Sequence, residues 1–280
     1  MRGKVFITGA NGFLGRSTVS ALEQDKWQVY KGLRSQTSNN SILLDLENPK
    51  EILELEHKYK FDTIIHLATK VGFNSVSSAE LYIPNVLSTA CLLFLAKQWN
   101  AKFIFASASI VCGVRSKLIN SLSEIKADTP YGYSKWLAEE LISASKVNSC
   151  ILRFCGIFGD GGPSHLGLNR AIAQAKNKQL PQIIGEGKSR RNYIYVKDAA
   201  TSIAASLSNN LQGMHFVAGS ETLTISEMMH QLCEVFLPHQ KPRSVSGRAA
   251  TDQVVEPSLA LPPSRSFREA LQDIKKEMVE

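Results

Sequence analysis

Two stretches of the 280-residue chain hold side chains at spacings that do chemistry. The first is Tyr131-Gly132-Tyr133-Ser134-Lys135, preceded by Pro130 and running on into WLAEEL. On a helix, positions i and i+4 share a face, so Lys135 stands beside Tyr131. An ammonium there favours the phenolate and draws the tyrosine down from its ordinary value of about 10, which suits a general acid or base acting on a carbonyl or an alcohol. The second is Thr8-Gly9-Ala10-Asn11-Gly12-Phe13-Leu14-Gly15, directly after a short apolar run. In this GxxGxxG spacing Gly9 permits a tight turn, Gly12 lets the backbone approach a pyrophosphate, and Gly15 lets the following helix pack closely, while the free N–H groups at the helix start attract the anion. Gly9, Asn11, Gly12, Phe13, Leu14 and Gly15 are therefore expected to hold a dinucleotide. A Tyr-x-x-x-Lys alone recurs by chance in helices; downstream of such a turn it becomes specific.

Where such folds use NAD, an acidic residue at the end of the second strand bonds the adenosine ribose hydroxyls. Here the chain reads Gly32-Leu33-Arg34-Ser35. A guanidinium can pair with a 2′-phosphate, so Arg34 favours NADP over NAD, with a solvated surface arginine as the plain alternative. Asp45-Leu46, after the third strand, is placed to meet the adenine amine, or else merely flanks a helix. No metal site is expected, because the six histidines are scattered. The five cysteines (Cys91, Cys112, Cys150, Cys155, Cys233) are odd in number, lack CxxC spacing and lie in apolar segments. They read as buried free thiols of a protein in a reducing, cytoplasmic compartment.

The elements that must position these groups alternate regularly. Val5–Ile7, Gln28–Leu33, Ile42–Leu44, Thr63–Leu67, Phe103–Phe105 and Ile151–Phe154 read as strands, and Leu14–Gln24, Pro49–Tyr59, Ala79–Gln98 and Tyr131–Lys146 as helices between them. Strands such as TIIHL are apolar on both faces, so the expected fold is α/β, a doubly wound parallel sheet covered by helices on both sides. Beyond residue 160 the expectation is a loop over Gly159–Gly167, helices over Leu168–Lys178 and Ser226–Phe236, a strand near Tyr193–Val196, a loop over Pro238–Pro263 and a last helix from Ser266. The net charge of +7 is spread along the chain without runs, which favours an anionic metabolite over nucleic acid. No apolar stretch reaches the roughly 20 residues of a membrane span, so no membrane partner is expected.

With its motifs in this order, the chain resembles the extended short-chain dehydrogenase/reductases, the NAD-dependent epimerase/dehydratase family, which act mostly on nucleotide-activated sugars. The resemblance covers roughly residues 3–236. It rests on TGANGFLG at 8–15, DL at 45–46, HLAT at 66–69, Asn85-Val86 with Thr89, ASASIVCG at 106–113, YGYSK at 131–135, LRFCGIFG at 152–159 and GEGKSRRNYIYVKD at 185–198. It implies a Rossmann domain over residues 1–160 and a smaller substrate-binding region over 161–280, interleaved with the sheet. It further implies that Tyr131 and Lys135 are catalytic, with Lys135 also on the cofactor ribose, and that Leu67, Ala68, Thr69 and Asn85 line the cofactor. Arg191 would bind the substrate's diphosphate, with Arg190, Lys188 and Tyr193 beside it. Family members commonly pair the helices read here at Ala79–Gln98 and Tyr131–Lys146 into a homodimer, and Leu87, Cys91, Leu95, Trp136 and Leu137 are apolar beyond one face's needs.

The chain departs from the family pattern in three places. Ala108 stands where a Ser or Thr usually bonds the reacting oxygen; Ser107 and Ser109 flank it, and Ser109 is preferred because it lies nearer the loop. Cys112 replaces the tyrosine of VYG, and Gly156 replaces an asparagine expected near the substrate. Ala108-Ser109-Ile110 lacks the Thr-Asp-Glu of the 4,6-dehydratases, which sets dehydration aside. The leading expectation is an NADPH-using reductase of a keto group on a nucleotide-linked deoxysugar. An NAD-dependent nucleotide-sugar epimerase, reduction of a non-sugar carbonyl and a non-catalytic dinucleotide-sensing protein are the alternatives.

Overall fold

The computed structural model describes residues 2–35, 40–72, 77–247 and 250–278. Its central sheet has seven strands: β1 (Lys4–Thr8), β2 (Gln28–Leu33), β3 (Ser41–Leu43), β4 (Thr63–His66), β5 (Lys102–Ala108), β6 (Ser149–Phe154) and β7 (Gly213–Val217). Their spatial order is β7-β6-β5-β4-β1-β2-β3, and β1 pairs in parallel with both β2 and β4. The order reverses between β1 and β4, the switch point at which doubly wound sheets bind ligands beyond their carboxyl ends. Ile64, Ile65 and Phe103 to Phe105 are wholly buried, as strands covered on both faces must be. The expected α/β architecture is thus the one observed.

The labelled helices are α1 (Phe13–Gln24), α2 (Pro49–Lys58), α3 (Ser88–Trp99), α4 (Pro130–Ser145), α5 (Gly167–Lys176), α6 (Val196–Ser208), α7 (Ile225–Phe236) and α8 (Phe267–Lys276). Helix α4 begins where the chemistry needs it: Pro130 fits the first turn, and the Thr129 hydroxyl accepts from the Gly132 N–H at 3.1 Å. The single helix expected over Ala79–Gln98 is broken into a short turn Ser78–Leu81, a π-helical segment Tyr82–Leu87 and α3. Pro84 lies inside that segment and has no N–H to give, so the α ladder cannot run through it. The Ser88 and Thr89 hydroxyls donate to the Pro84 and Asn85 carbonyls, both at 2.7 Å. The run Ala79–Trp99 is also a correction: by length and composition its 21 helical residues could cross a membrane, their most apolar 18 having a mean hydropathy of 1.5, and 61% of those 18 are buried inside the fold. Scattered polar residues interrupt the run and hide its apolar character in the sequence.

Two compact units divide the chain. One comprises Met1–Val114, Glu124–Arg153 and Ala200–His215; the other comprises Arg115–Ser123, Phe154–Ala199 and Phe216–Glu280. In the second, short strand pairs replace a large sheet: Ile157–Phe158 with Ile194–Tyr195, Gln182–Ile184 with Arg243–Val245, Leu118–Ile119 with Val254–Val255, and antiparallel Arg190–Arg191 with Leu223–Thr224. The loop expected over Pro238–Pro263 therefore holds two strands, each too short to show a period; residues 248–249 of it lie outside the described ones. Helix α8 opens with a Ser266–Glu269 capping box. It is tied down through Asp273, which accepts from Tyr195 at 2.9 Å and pairs with Lys197 at 2.8 Å and Arg265 at 3.2 Å.

Candidate active site

The turn after β1 is built by close backbone approach. Gly9 has φ of +71°, and a Cβ there would stand 2.7 Å from the Ala68 nitrogen; at Gly15 a Cβ would stand 2.0 Å from the Gly9 carbonyl oxygen. The turn and the segment after β4 are thus pressed together, and the Leu67 N–H donates to the Thr8 carbonyl at 3.2 Å. Helix α1 has neither a side-chain cap nor an acidic residue in its first turn, whereas Asn48, Thr129, Thr224 and Ser266 cap α2, α4, α7 and α8. Its first N–H groups, at Phe13 and Leu14, and that of Asn11 in the preceding turn are left for an anion, and the positive end of the helix dipole favours one. The residues present fit a dinucleotide pyrophosphate.

At the adenosine end, Arg34 is exposed and pairs with Glu47 at 3.6 Å. Asp45 is exposed too, and its carboxylate accepts from the Glu47 N–H at 3.0 Å, while Leu46 is half-buried. Asn85, on the π segment, is 1% exposed and fully engaged. It accepts from the Lys70 N–H at 2.8 Å and Thr69 Oγ1 at 3.2 Å, and donates to the Lys70 carbonyl at 2.9 Å and Ser134 Oγ at 3.0 Å. It therefore ties the Thr69–Lys70 segment to α4.

Tyr131 and Lys135 share a face of α4, with the Lys135 ammonium 5.8 Å from the Tyr131 ring centre. Lys135 is 2% exposed; its Nζ donates to the Ala106 carbonyl at 2.8 Å and lies 4.6 Å over the Phe105 ring. The Tyr131 hydroxyl is hydrogen-bonded to Thr69. Lys135 was expected to draw the phenol down. Instead burial pushes Tyr131 up to about 12, the Thr69 bond only moderating it, and burial draws Lys135 down to about 7 against the pull of Glu139. Loss of water around the ionised form is the largest cause for each. His66, at the end of β4, is wholly buried, drawn down to about 3, and 2.6 Å from Thr8 Oγ1 through Nδ1, while Nε2 has no partner.

The two serines beside Ala108 have different surroundings. Ser107 donates to Glu139 Oε1 at 2.5 Å, in a buried network that Arg153 closes with Nη2 2.6 Å from Glu139 Oε2. Arg153 also reaches Cys112 Sγ at 3.9 Å. Ser109 opens a 3-10 turn, is 5% exposed, and makes no side-chain hydrogen bond among the described residues. Sequence analysis missed the Glu139–Arg153 network, although Glu139 sits at i+4 from Lys135 and i+8 from Tyr131, a spacing that signals a shared face.

In the second unit, Arg191 is half-buried, hydrogen-bonded to the Tyr193 side chain, and reaches the Arg190 carbonyl at 3.2 Å. Arg190 and Lys188 are exposed, Lys188 pairing with Glu186 at 2.6 Å. A Cβ at Gly156 would stand 2.4 Å from the Tyr193 ring, so this ring fills the space of the missing asparagine. All five cysteines are free thiols, four of them buried and Cys155 partly so.

A parallel sheet with a glycine turn at its switch point, an uncapped helix start behind the turn and a Tyr–Lys pair on one helix face defines a dinucleotide-binding α/β protein. The chain belongs to the NAD dependent epimerase/dehydratase family, whose model matches residues 5–219, and is an enzyme with an NAD(P) cofactor. Among its relatives is an uncharacterized UDP-glucose epimerase, YtcB, of Bacillus subtilis, 26% identical over 73% of this chain and 72% of that one. Among solved structures, UDP-glucuronic acid 4-epimerase from Bacillus cereus in complex with NAD is 21% identical with a TM-score of 0.81, covering 99% of this chain and 100% of that one. UDP-glucose 4-epimerase from Thermotoga maritima with UDP-glucose is 18% identical with a TM-score of 0.84 over 99% and 100%.

Proposed function

We propose that the chain is a reductase that uses NADPH to convert a keto group of a nucleotide-linked deoxysugar to an alcohol. The observation that carries this is the Tyr131–Lys135 pair on one face of α4, in which the half-buried Tyr131 keeps its proton at neutral pH and so suits the acid of a reduction. The bound dinucleotide supplies the hydride to the carbonyl carbon. Tyr131 Oη would give its proton to the carbonyl oxygen, and the Lys135 ammonium would stabilise the phenolate this leaves while holding the cofactor ribose. Ser109, whose hydroxyl is uncommitted, orients that oxygen in place of the usual residue at Ala108, since Ser107 is spent on Glu139. Gly9, Asn11, Gly12, Phe13, Leu14 and Gly15 receive the pyrophosphate, and Leu67, Ala68, Thr69 and the Asn85 anchor shape the nicotinamide end. Arg34 takes the 2′-phosphate and Asp45-Leu46 the adenine. Arg191, with Tyr193, Arg190 and Lys188, takes the substrate's diphosphate bidentately.

In this proposal residues 1–160 serve the cofactor and 161–280 the sugar nucleotide, the enzyme is a homodimer, and it works in the reducing cytoplasm, a reading its free thiols support. A second reading, an epimerase that oxidises and re-reduces the sugar with NAD, is favoured by the names of the relatives and uses the same residues. Titration with NADPH and NADH, repeated on Arg34→Asp, separates them. NADPH should bind the unmodified chain more tightly and lose that advantage in the variant; tighter NADH binding, or NAD retained on the purified protein, would establish the epimerase instead.

A further inference from the structure

The carboxyl ends of β1, β2 and β3 lie side by side: Thr8 pairs with Gly32 and Leu33 with Leu43, and the Leu44 N–H donates to the Leu33 carbonyl at 2.8 Å. The glycine turn, Arg34 and the segment Asp45–Glu47 therefore leave the sheet together, at the edge where such folds hold the adenosine half of a dinucleotide. The end of β2 carries no carboxylate, but the loop after β3 brings one to it. Glu47 Oε1 lies 3.6 Å from Arg34 Nη2. The backbone of Glu47 is fixed: its N–H donates to Asp45 Oδ1 at 3.0 Å, the Asp45 N–H donates to Glu51 Oε2 at 3.0 Å, and Asn48 caps α2 directly afterwards. Arg34 is the freer partner, with 80% of its side chain exposed against 41% for Glu47, and Glu47 is its one ion pair among the described residues.

An exposed pair of this kind adds little to stability, yet the few-fold energies it carries are enough to shift the balance between two cofactors that differ by one phosphate. A 2′-phosphate recruits Arg34 only by drawing it away from Glu47, an exchange of one anion for another, whereas NADH has no such phosphate and leaves the pair intact. We propose that Glu47 is a specificity-determining residue for the dinucleotide: by holding Arg34 it makes the preference for NADPH shallow, so that the site also accepts NADH. The inference rests on the reading of Arg34 as the partner of the 2′-phosphate.

Fluorescence titrations with NADPH and with NADH, without substrate and at about 0.15 M salt to screen distant exposed charges, test it on the unmodified chain, Glu47→Gln, Arg34→Gln and the double variant. Glu47→Gln keeps the side-chain length and removes the charge. The ratio of NADPH to NADH affinity should rise about three- to tenfold in this variant, through tighter NADPH binding. In the Arg34→Gln background the same change should raise the ratio by less than half as much, because no guanidinium is left to release. An unchanged ratio in Glu47→Gln overturns the proposal, and so does an equal rise in both backgrounds, which would show Glu47 repelling the phosphate without holding Arg34. Failure of the reading beneath it is distinct: the ratio in Arg34→Gln would then equal that of the unmodified chain, whereas a lowered ratio there with no response to Glu47→Gln sinks only the role of Glu47.

Discussion

Tyr131, Lys135 and His66 share one environment and answer it in opposite directions. Burial raises the acid whose ionised form is an anion and lowers the two bases whose ionised forms are cations, so at neutral pH Tyr131 and His66 are both uncharged. Replacing Tyr131 by Phe should cost about 10²–10⁴-fold in kcat while dinucleotide binding, followed by fluorescence titration, persists. Ser109→Ala should lose more activity than Ser107→Ala in the same assay, because the Ser107 hydroxyl is already committed to Glu139. His66 makes a separate prediction about stability. Its value in the unfolded chain is about 6.5, so between there and about 3 the unfolded state binds the proton and the folded state does not. Stability is therefore whole above pH 6.5 and falls as pH drops, by up to about 1.4 kcal/mol per unit from this residue. Melting temperatures of His66→Gln against pH should lack that slope; an identical slope would show that His66 is not its source. The Tyr–Lys pair was legible in the sequence because i and i+4 spacing encodes a face. The direction of its titration was not, because desolvation depends on Phe105, Ala106 and other residues remote in sequence.

At the scale of elements, the glycine turn and α1 form one rigid object. Gly15→Ala would drive a Cβ to 2.0 Å from the Gly9 carbonyl, against backbone that cannot move aside. It should destabilise the protein by about 1–3 kcal/mol or more and abolish cofactor binding. Gly167→Ala is the control: at the start of α5 no atom lies within 4 Å of the added Cβ, and the substitution should be neutral or stabilise by up to about 1 kcal/mol in thermal melts. Strands β1, β4, β5 and β6 were readable because each is a compact apolar run almost wholly buried, while β2 and β3 showed through fewer apolar residues, Val29, Leu33 and Ile42 among them. Strand β7 was not, since Gly213 is exposed and Met214 and His215 are only half-buried, leaving Phe216 and Val217 as its apolar signal. Helix α6 was missed because its alanines and serines, VKDAATSIAASLS, blur the helical period. The π segment was hidden for a different reason: only Pro84 announces it, and a proline more often ends a helix than widens one.

For the whole molecule, a homodimer through α3 and α4 has fewer apolar residues to rest on than the sequence suggested. Cys91 and Leu95 belong to the chain's own core, with Phe61, Trp99 and Phe103. What α3 and α4 leave outside is Phe94, Tyr133 and Leu141, with Trp136 and Leu137 half-buried. Light scattering at micromolar concentration should give twice 30.8 kDa, and Trp136→Glu should return the single-chain mass. A monomeric unmodified protein would refute the association.

The place of β7 in the sheet bears on how the chain is made. It lies beside β6, yet α5, α6 and several short strands separate the two in sequence. As the chain leaves the ribosome, residues Cys150 to Phe154 emerge long before the strand that will cover their outer edge, and Lys102 waits for the Asn210 side chain and the Leu211 carbonyl that hold its ammonium. Through that interval the nascent protein carries a long apolar strand with unpaired N–H and C=O groups, a template for pairing with other chains. Ribosome-bound chains stopped before residue 213 should therefore be held by chaperones or aggregate, and release from both should coincide with the synthesis of Gly213–Val217.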